Sequence, residues 1–386
     1  MNKRKICVVI TGRPSYSRIK SVLQAIQEHP ELELLLIVGA SALLYRFGSV
    51  IDMIRADGFE PKSLVYNIVE GETPSTMAKS TGLGVLELAT QFENLKPDIV
   101  LTVADRFETM ATAVAASYMN IPLAHTQGGE FTGSIDDSVR NAITKLAHLH
   151  FPATKQAGEI VVRMGEDPKA VFVTGCPSID LAADARTKAS ENLFEKYGGT
   201  GQSLDWDKPF LVVLQHPVTT EYGEAYKQTE ETLEAVQRMN MQVAWFWPNV
   251  DAGSDAVSKA LRTYIAENGT MPIHFYRNFS PEDFVHLHER ASCLVGNSSS
   301  GIREGSYLGT PVVNIGTRQL HRERGKNVID VGYDAQAIYE AITRQVAHGR
   351  YPSDNLYGDG KAGKRIADIL STCSLDIVKR SSYATD

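Results

Sequence analysis

The run CLVGNSSSGIREGSYLGTPVVNIG, residues 293–316, holds the residue types best suited to chemistry. Apolar residues 293–295 read as a strand, Gly296, Asn297, Ser298, Ser299, Ser300 and Gly301 as a small-residue turn, and a helical pattern follows from Ile302. A helix entered through small residues leaves its first backbone N–H groups free, and its dipole favours an anion at that end. The three serines add hydroxyl donors. Glu304, one turn into the helix, is placed to accept both hydroxyls of a ribose. Phosphate plus ribose specifies a nucleotide. The competing reading is an ordinary strand-turn-helix whose serines only cap the helix, since Gly-rich turns recur in α/β proteins.

Polar groups also fall just beyond other apolar runs. Thr11-Gly12-Arg13-Pro14-Ser15, Asp105-Arg106, His125 to Glu130, His216-Pro217, Arg277-Asn278-Phe279 and Gly316-Thr317-Arg318 each follow one. Any single cluster reads as a cap or turn; six together, rich in Arg, Asp, His and Glu, favour a site. Arg13, Arg106, Arg318 and Arg322 suit bidentate phosphate binding. Asp105, Glu130, Asp136 and Asp137 are candidate acids and bases, provided enclosure moves their pKa values toward neutrality. His216 needs no such tuning. Asp136 and Arg140 are four apart, so an ordinary helix-surface ion pair competes with a catalytic role. His286 and His288 read as surface, His148 and His150 as packing. The cysteines, Cys7, Cys176, Cys293 and Cys373, lack metal-ligand spacing, and no metal site is expected.

These residues need elements to hold them. Short β-branched runs at 6–12, 34–39, 64–68, 98–105, 121–128 and 171–175 alternate with helical patterns at 15–27, 42–57, 76–95 and 106–119. The second half repeats this, with strands at 210–216, 243–248, 273–278, 293–297 and 311–316 and helices at 223–239, 252–267, 281–290 and 334–347. Such alternation predicts βαβ units around parallel sheets. The polar, Gly-rich segment 188–208 reads as a linker. The expected architecture is therefore α/β, with two Rossmann-like domains, 1–187 and 209–365, facing across a cleft, and a C-terminal helix and tail at 366–386. Ligands of open α/β sheets sit at the carboxyl ends of the strands, which places the site in that cleft. Gly82 and Gly84 lie within a helical pattern, so no dinucleotide fingerprint is present.

Composition narrows the classes. With 43% hydrophobic and 22% charged residues over 386 positions, the chain suits a soluble protein with two cores. A net charge of −7 argues against nucleic-acid or anionic-membrane binding, so a phosphate site must be a local basic pocket. No apolar stretch reaches a signal-peptide core or a membrane span, and a cytoplasmic location is expected.

The segments at 104–151, 173–180 (VTGCPSID), 214–219 (LQHPVT) and 295–328, with TGRPSYSR at 11–18, resemble the hydrolysing UDP-N-acetylglucosamine 2-epimerases, in particular the bacterial sialic-acid and nonulosonate branch. The likeness runs nearly end to end. It implies two Rossmann-like domains of the GT-B type with the C-terminal helix returning to the first, a UDP-sugar substrate, and a homodimer or homotetramer; the missing dinucleotide fingerprint and metal-ligand cluster lead to the expectation of no cofactor. It implies elimination of UDP from UDP-N-acetylglucosamine to 2-acetamidoglucal, then addition of water to give N-acetylmannosamine. By the same resemblance Asp105, Asp136, Arg140 and His216 are catalytic or supporting groups. Arg13, Arg106, Ser298, Ser299, Ser300, Glu304 and Arg318 are UDP-binding; Gly12, Gln127, Asn278, Phe279, Gly301 and Arg322 join the expected binding set. One departure stands out: Gln127 replaces a glutamate that animal and non-hydrolysing members carry, and an amide cannot abstract a proton. Glu130 or Asp105 then serves as base, or Gln127 binds a different sugar. The motifs do not separate UDP-N-acetylglucosamine from UDP-2,4-diacetamido-2,4,6-trideoxyglucose. A UDP-sugar glycosyltransferase and a non-catalytic UDP-sugar sensor remain the alternative readings.

Overall fold

The computed structural model describes residues 3–71, 73–133, 135–187, 191–248, 251–268 and 272–379. Its first sheet comprises β1 (Arg4–Ile10), β2 (Leu32–Gly39), β3 (Ser63–Val65), β4 (Ile99–Val103), β5 (Leu123–Thr126) and β6 (Leu149–Phe151), all parallel, in the order β3-β2-β1-β4-β5-β6. Near-continuous apolar strands belong in a sheet covered on both faces. Within β1 the alternation is visible: Ile6, Val8 and Ile10 join one helix layer, Cys7 and Val9 the other.

The second sheet comprises β7 (Thr200–Gly201), β8 (Phe210–Leu214), β9 (Gln242–Phe246), β10 (Ile273–Tyr276), β11 (Cys293–Gly296), β12 (Val312–Ile315) and β13 (Val328–Val331). Its order is β13-β12-β11-β8-β9-β10-β7, with only β7 antiparallel. Without β7, both sheets follow the same doubly wound order, and the fold is two Rossmann-like domains of the GT-B type.

Three expectations differ from the structure. The run 171–175 forms only an isolated bridge from Val171 to His150, and β6 is the sixth strand instead. β13 had no counterpart in the apolar-run reading, because Asp330 interrupts its pattern. Of the expected linker, Lys188, Ala189 and Ser190 lie outside the described residues, whereas 191–208 packs on the second domain. Leu193 and Trp206 enter its core beside Phe210, and β7 extends its sheet, because those apolar groups are worth more covered than exposed.

The helix Ala362–Thr372 lies on the first domain, where Ile366, Ala367 and Leu370 join the cluster around Val22 and Ile26. Its open N-terminal amides are satisfied from outside: the Asp180 carboxylate accepts from Ala362 N (2.9 Å) and Gly363 N (2.6 Å). Residues 380–386 of the expected tail lie outside the described residues. Among the described residues no helix is long and apolar enough to cross a membrane.

Candidate active site

In doubly wound sheets the strand order reverses between the first and fourth strands, and the crevice beyond their carboxyl ends takes the ligand. Here those strands are β1 and β4 in one domain and β8 and β11 in the other. Beyond them lie Arg13, Asp105, His216 and Ser298–Ser300 respectively, and all of these line one cleft, whose cavity is about 190 Å³.

On the first domain the chain turns sharply after β4, where Ala104 takes a left-handed φ of 61°. Such strain persists only when neighbours hold it. His125 on β5 does so: its Nε2 lies 2.9 Å from the Ala104 carbonyl, which can only accept, so Nε2–H donates while Nδ1 meets Thr144 Oγ1 at 3.2 Å. Burial lowers the His125 pKa to about 3, which keeps the ring neutral for this task. The turn presents Asp105 to the cleft, where Arg140 of the helix Ile135–Leu146 bonds it. Arg140 also donates to Asp137 (2.5 Å) and to the Glu130 carbonyl (2.6 Å). Burial alone would raise the Asp105 carboxyl, but Arg140, Arg18 and Arg322 outweigh it and hold it well below the usual carboxylate range. Asp136 has the opposite fate: burial, and then the charge of Asp105, raise it to about 6, against the pull of Arg318 and Arg140. Two carboxylates with pKa values driven apart form a recognisable acid-base arrangement.

On the second domain β11 ends at Gly296, whose φ of 127° and close approach to the Leu214 carbonyl (2.2 Å from where a Cβ would sit) admit only glycine. Ser298 caps the helix Ser299–Leu308. Glu304 faces the cleft, its Oε2 has no hydrogen-bond partner among the described residues, and burial raises its pKa. Asn297 holds the next strand end, accepting from His216 N and donating to His216 O, both at 2.8 Å. Burial, with Arg318, Arg13, Arg106 and Arg18 facing it, lowers the His216 pKa well below its ordinary value. Four guanidiniums therefore converge on one imidazole, a local basic pocket in an acidic protein.

The expected site residues divide into two groups. Arg13, Asp105, Arg106, Asp136, His216, Asn278, Phe279, Ser298, Ser299, Ser300, Glu304 and Arg318 line the cleft. Arg106, expected on phosphate, has its fork engaged by Glu108 (3.1 Å) and, across the domains, by Asp251 (3.0 Å). Arg140 stands behind the lining and holds Asp105 and Asp137, in place of the expected surface pair with Asp136. Glu130 and Arg322 lie outside the lining and are bound to each other; Arg303 adds a second ion pair to Glu130 at 2.5 Å. This carboxylate, clamped by two guanidiniums, ties the two domains together. Gln127 is also buried away from the lining, its amide 3.6 Å from Cys176 Sγ. Gly12 and Gly301 serve packing: a Cβ would sit 2.8 Å from Ser41 Oγ at the first, and 3.0 Å from Leu294 and Val312 at the second. His286 and His288, expected on the surface, are buried, and His288 reaches the cleft.

Sequence reasoning missed Arg18, Ser178 and Asp251, which also line the cleft. Arg18 donates to Ser299 Oγ across the domains at 2.6 Å. Its position five residues after Arg13, at the end of a one-turn helix, was the available signal. Among the described residues no group of three His, Cys, Asp or Glu side chains is placed to hold a metal ion.

The sequence pattern of the UDP-N-acetylglucosamine 2-epimerase family matches residues 24–371. The UDP-N,N'-diacetylbacillosamine 2-epimerase (hydrolyzing) of Legionella pneumophila is 33% identical over 96% of this chain and 97% of its own. The UDP-N-acetylglucosamine 2-epimerase of Neisseria meningitidis is 29% identical over 96% and 95%. The crystal structure of the Methanocaldococcus jannaschii UDP-GlcNAc 2-epimerase in complex with UDP-GlcNAc and UDP matches with a TM-score of 0.80 at 18% identity, over 95% of this chain and 99% of that one, a likeness of fold. A chain with this cleft, matched over this length, belongs to the UDP-N-acetylglucosamine 2-epimerase family.

Proposed function

We propose that the protein is a hydrolysing UDP-sugar 2-epimerase that converts UDP-N-acetylglucosamine to UDP and N-acetylmannosamine for sialic-acid-type sugar synthesis, working in the cytoplasm as a homodimer or homotetramer. The observation that carries this reading is one cleft that faces a capped helix terminus and the unpartnered Oε2 of Glu304 with the Asp105–Asp136 pair. UDP binds the second domain, its diphosphate at the Ser298–Ser300 turn and its ribose hydroxyls on Glu304. Arg13, Arg18 and Arg318 neutralise the phosphates, and neutral His216 donates to the leaving oxygen.

Asp136 takes the place that Glu130 and Gln127 cannot fill. Its carboxylate removes the proton on carbon 2; that electron pair becomes the C1=C2 double bond as the C1–O bond breaks and UDP leaves with its pair. Water then adds, hydroxyl to carbon 1 and proton to carbon 2 from the opposite face. A pKa of about 6 makes Asp136 largely ionised yet basic at neutral pH.

A second sugar is favoured by one feature. Met77, Phe107, Ile135 and Val139 give the first-domain wall near Asp136 an apolar lining, suited to the 6-methyl of UDP-2,4-diacetamido-2,4,6-trideoxyglucose. Incubating the enzyme with each UDP-sugar and no acceptor, and following products by proton NMR, decides between them. Release of UDP with a 2-epimerised free sugar is expected; a requirement for an acceptor would favour a glycosyltransferase, and no turnover a sensor.

A further inference from the structure

The helix Pro281–Arg290 borders the cleft with Pro281, Phe284, Val285 and His288, and it packs beside the helix that carries Glu304. His288 is fully buried, and neither of its ring nitrogens has a hydrogen-bond partner among the described residues. Buried polar atoms are almost always paired, so a ring with both nitrogens open, at the edge of a ligand cleft, asks for a partner from the ligand. The ring lies edge-on to Phe284, with centroids 4.7 Å apart, and Phe279 lines the same cleft. An aromatic, apolar wall beside an open ring nitrogen suits a flat heterocycle with a polar edge. The ring is neutral, because burial and then Arg350 lower its pKa to about 3. It therefore offers one N–H and one lone pair. Its two nitrogens point apart, so one of them can meet a single group on a base edge, a uracil carbonyl oxygen or its N–H.

We propose that His288 hydrogen-bonds the edge of the pyrimidine base and is a specificity residue for the nucleoside half of the substrate, an assignment that rests on the nucleotide reading of the cleft. The bland alternative, a core histidine that holds the fold, makes the opposite prediction for stability. Replacing an unpaired buried ring by an apolar side chain should then do no harm to the unliganded protein.

The test is calorimetry with UDP and with inorganic pyrophosphate on wild type, His288→Leu and His288→Gln, together with thermal melting. His288→Leu should bind UDP about 10-fold more weakly, equivalent to about 1.4 kcal/mol. Its pyrophosphate affinity should stay within two-fold, and its unliganded melting temperature should match or exceed wild type. His288→Gln, which keeps a donor and an acceptor, should regain most of the UDP affinity. UDP binding unchanged in His288→Leu, equal losses for UDP and pyrophosphate, or a His288→Leu protein that melts well below wild type would each overturn the proposal. Wild-type protein that fails to bind UDP would instead overturn the nucleotide reading itself.

Discussion

Asp136→Asn should trade activity for stability, and the structure sets the size of both effects. Burial and the neighbouring Asp105 raise the Asp136 pKa to about 6, from an ordinary value near 3.8. The folded protein therefore holds this proton more tightly than the unfolded chain. A group raised in this way contributes its stability below the unfolded pKa and loses it as pH rises through about 6. At about 1.36 kcal/mol for each pH unit between the two values, the effect is at most about 3 kcal/mol, since Asp136 keeps some solvent contact. The asparagine removes the ionisation, so at pH 8 the variant should be more stable than wild type by up to about 3 kcal/mol. Well below pH 3.8 Asp136 is protonated in the folded and the unfolded chain alike, and the difference should vanish. Turnover should fall at least ~100-fold, the low end for a general acid–base group. Urea denaturation at the two pH values, with steady-state rates at pH 8, provides the measurement. A variant no more stable than wild type at pH 8, or one retaining near-normal turnover, would refute the assignment of Asp136 as the strained base.

Other perturbations separate the remaining roles. Glu304→Ala should weaken UDP by about 1–3 kcal/mol, the range for charged hydrogen bonds left unmade, and unchanged UDP affinity by calorimetry would remove the ribose assignment. Asp105→Asn and His216→Ala should each lower turnover at least ~100-fold, with UDP affinity falling far less for Asp105→Asn, and turnover within a few-fold of wild type would place the chemistry elsewhere. Glu130→Ala leaves Arg303 and Arg322 buried without their carboxylate, so unfolding free energy should drop by about 3–5 kcal/mol; a loss under 1 kcal/mol in urea titration would mean that this tie holds nothing.

The sequence pattern carried the architecture because the strands are buried on both faces and read as unbroken apolar runs, as 6–12 and 210–216 do. It erred where that signal fails. Residues 171–175 are apolar, yet only Val171 pairs, as an isolated bridge to His150. The expected helix at 42–57 is short 3₁₀ turns up to Phe47 and a helix only from Val50, broken by Gly48 at a φ of 92°. Positions that follow a switch-point strand, Asp105, His216 and Ser298, were legible because topology alone sends them to the cleft. Glu130 and Arg322 were not, because residue type cannot reveal that a carboxylate and a guanidinium from separate domains meet each other before any ligand. His288 was misjudged because a helix that borders a cleft and packs on a neighbouring domain has no solvent face at that position.

The central claim is that a proton leaves carbon 2 and is replaced from solvent. The direct measurement is turnover of UDP-N-acetylglucosamine, and of its 2,4-diacetamido-2,4,6-trideoxy counterpart, in deuterated water, with the free sugar read by proton NMR. One deuterium is expected at carbon 2 of the epimerised product, with UDP released in equal amount. Product that retains its protium at carbon 2 would contradict it.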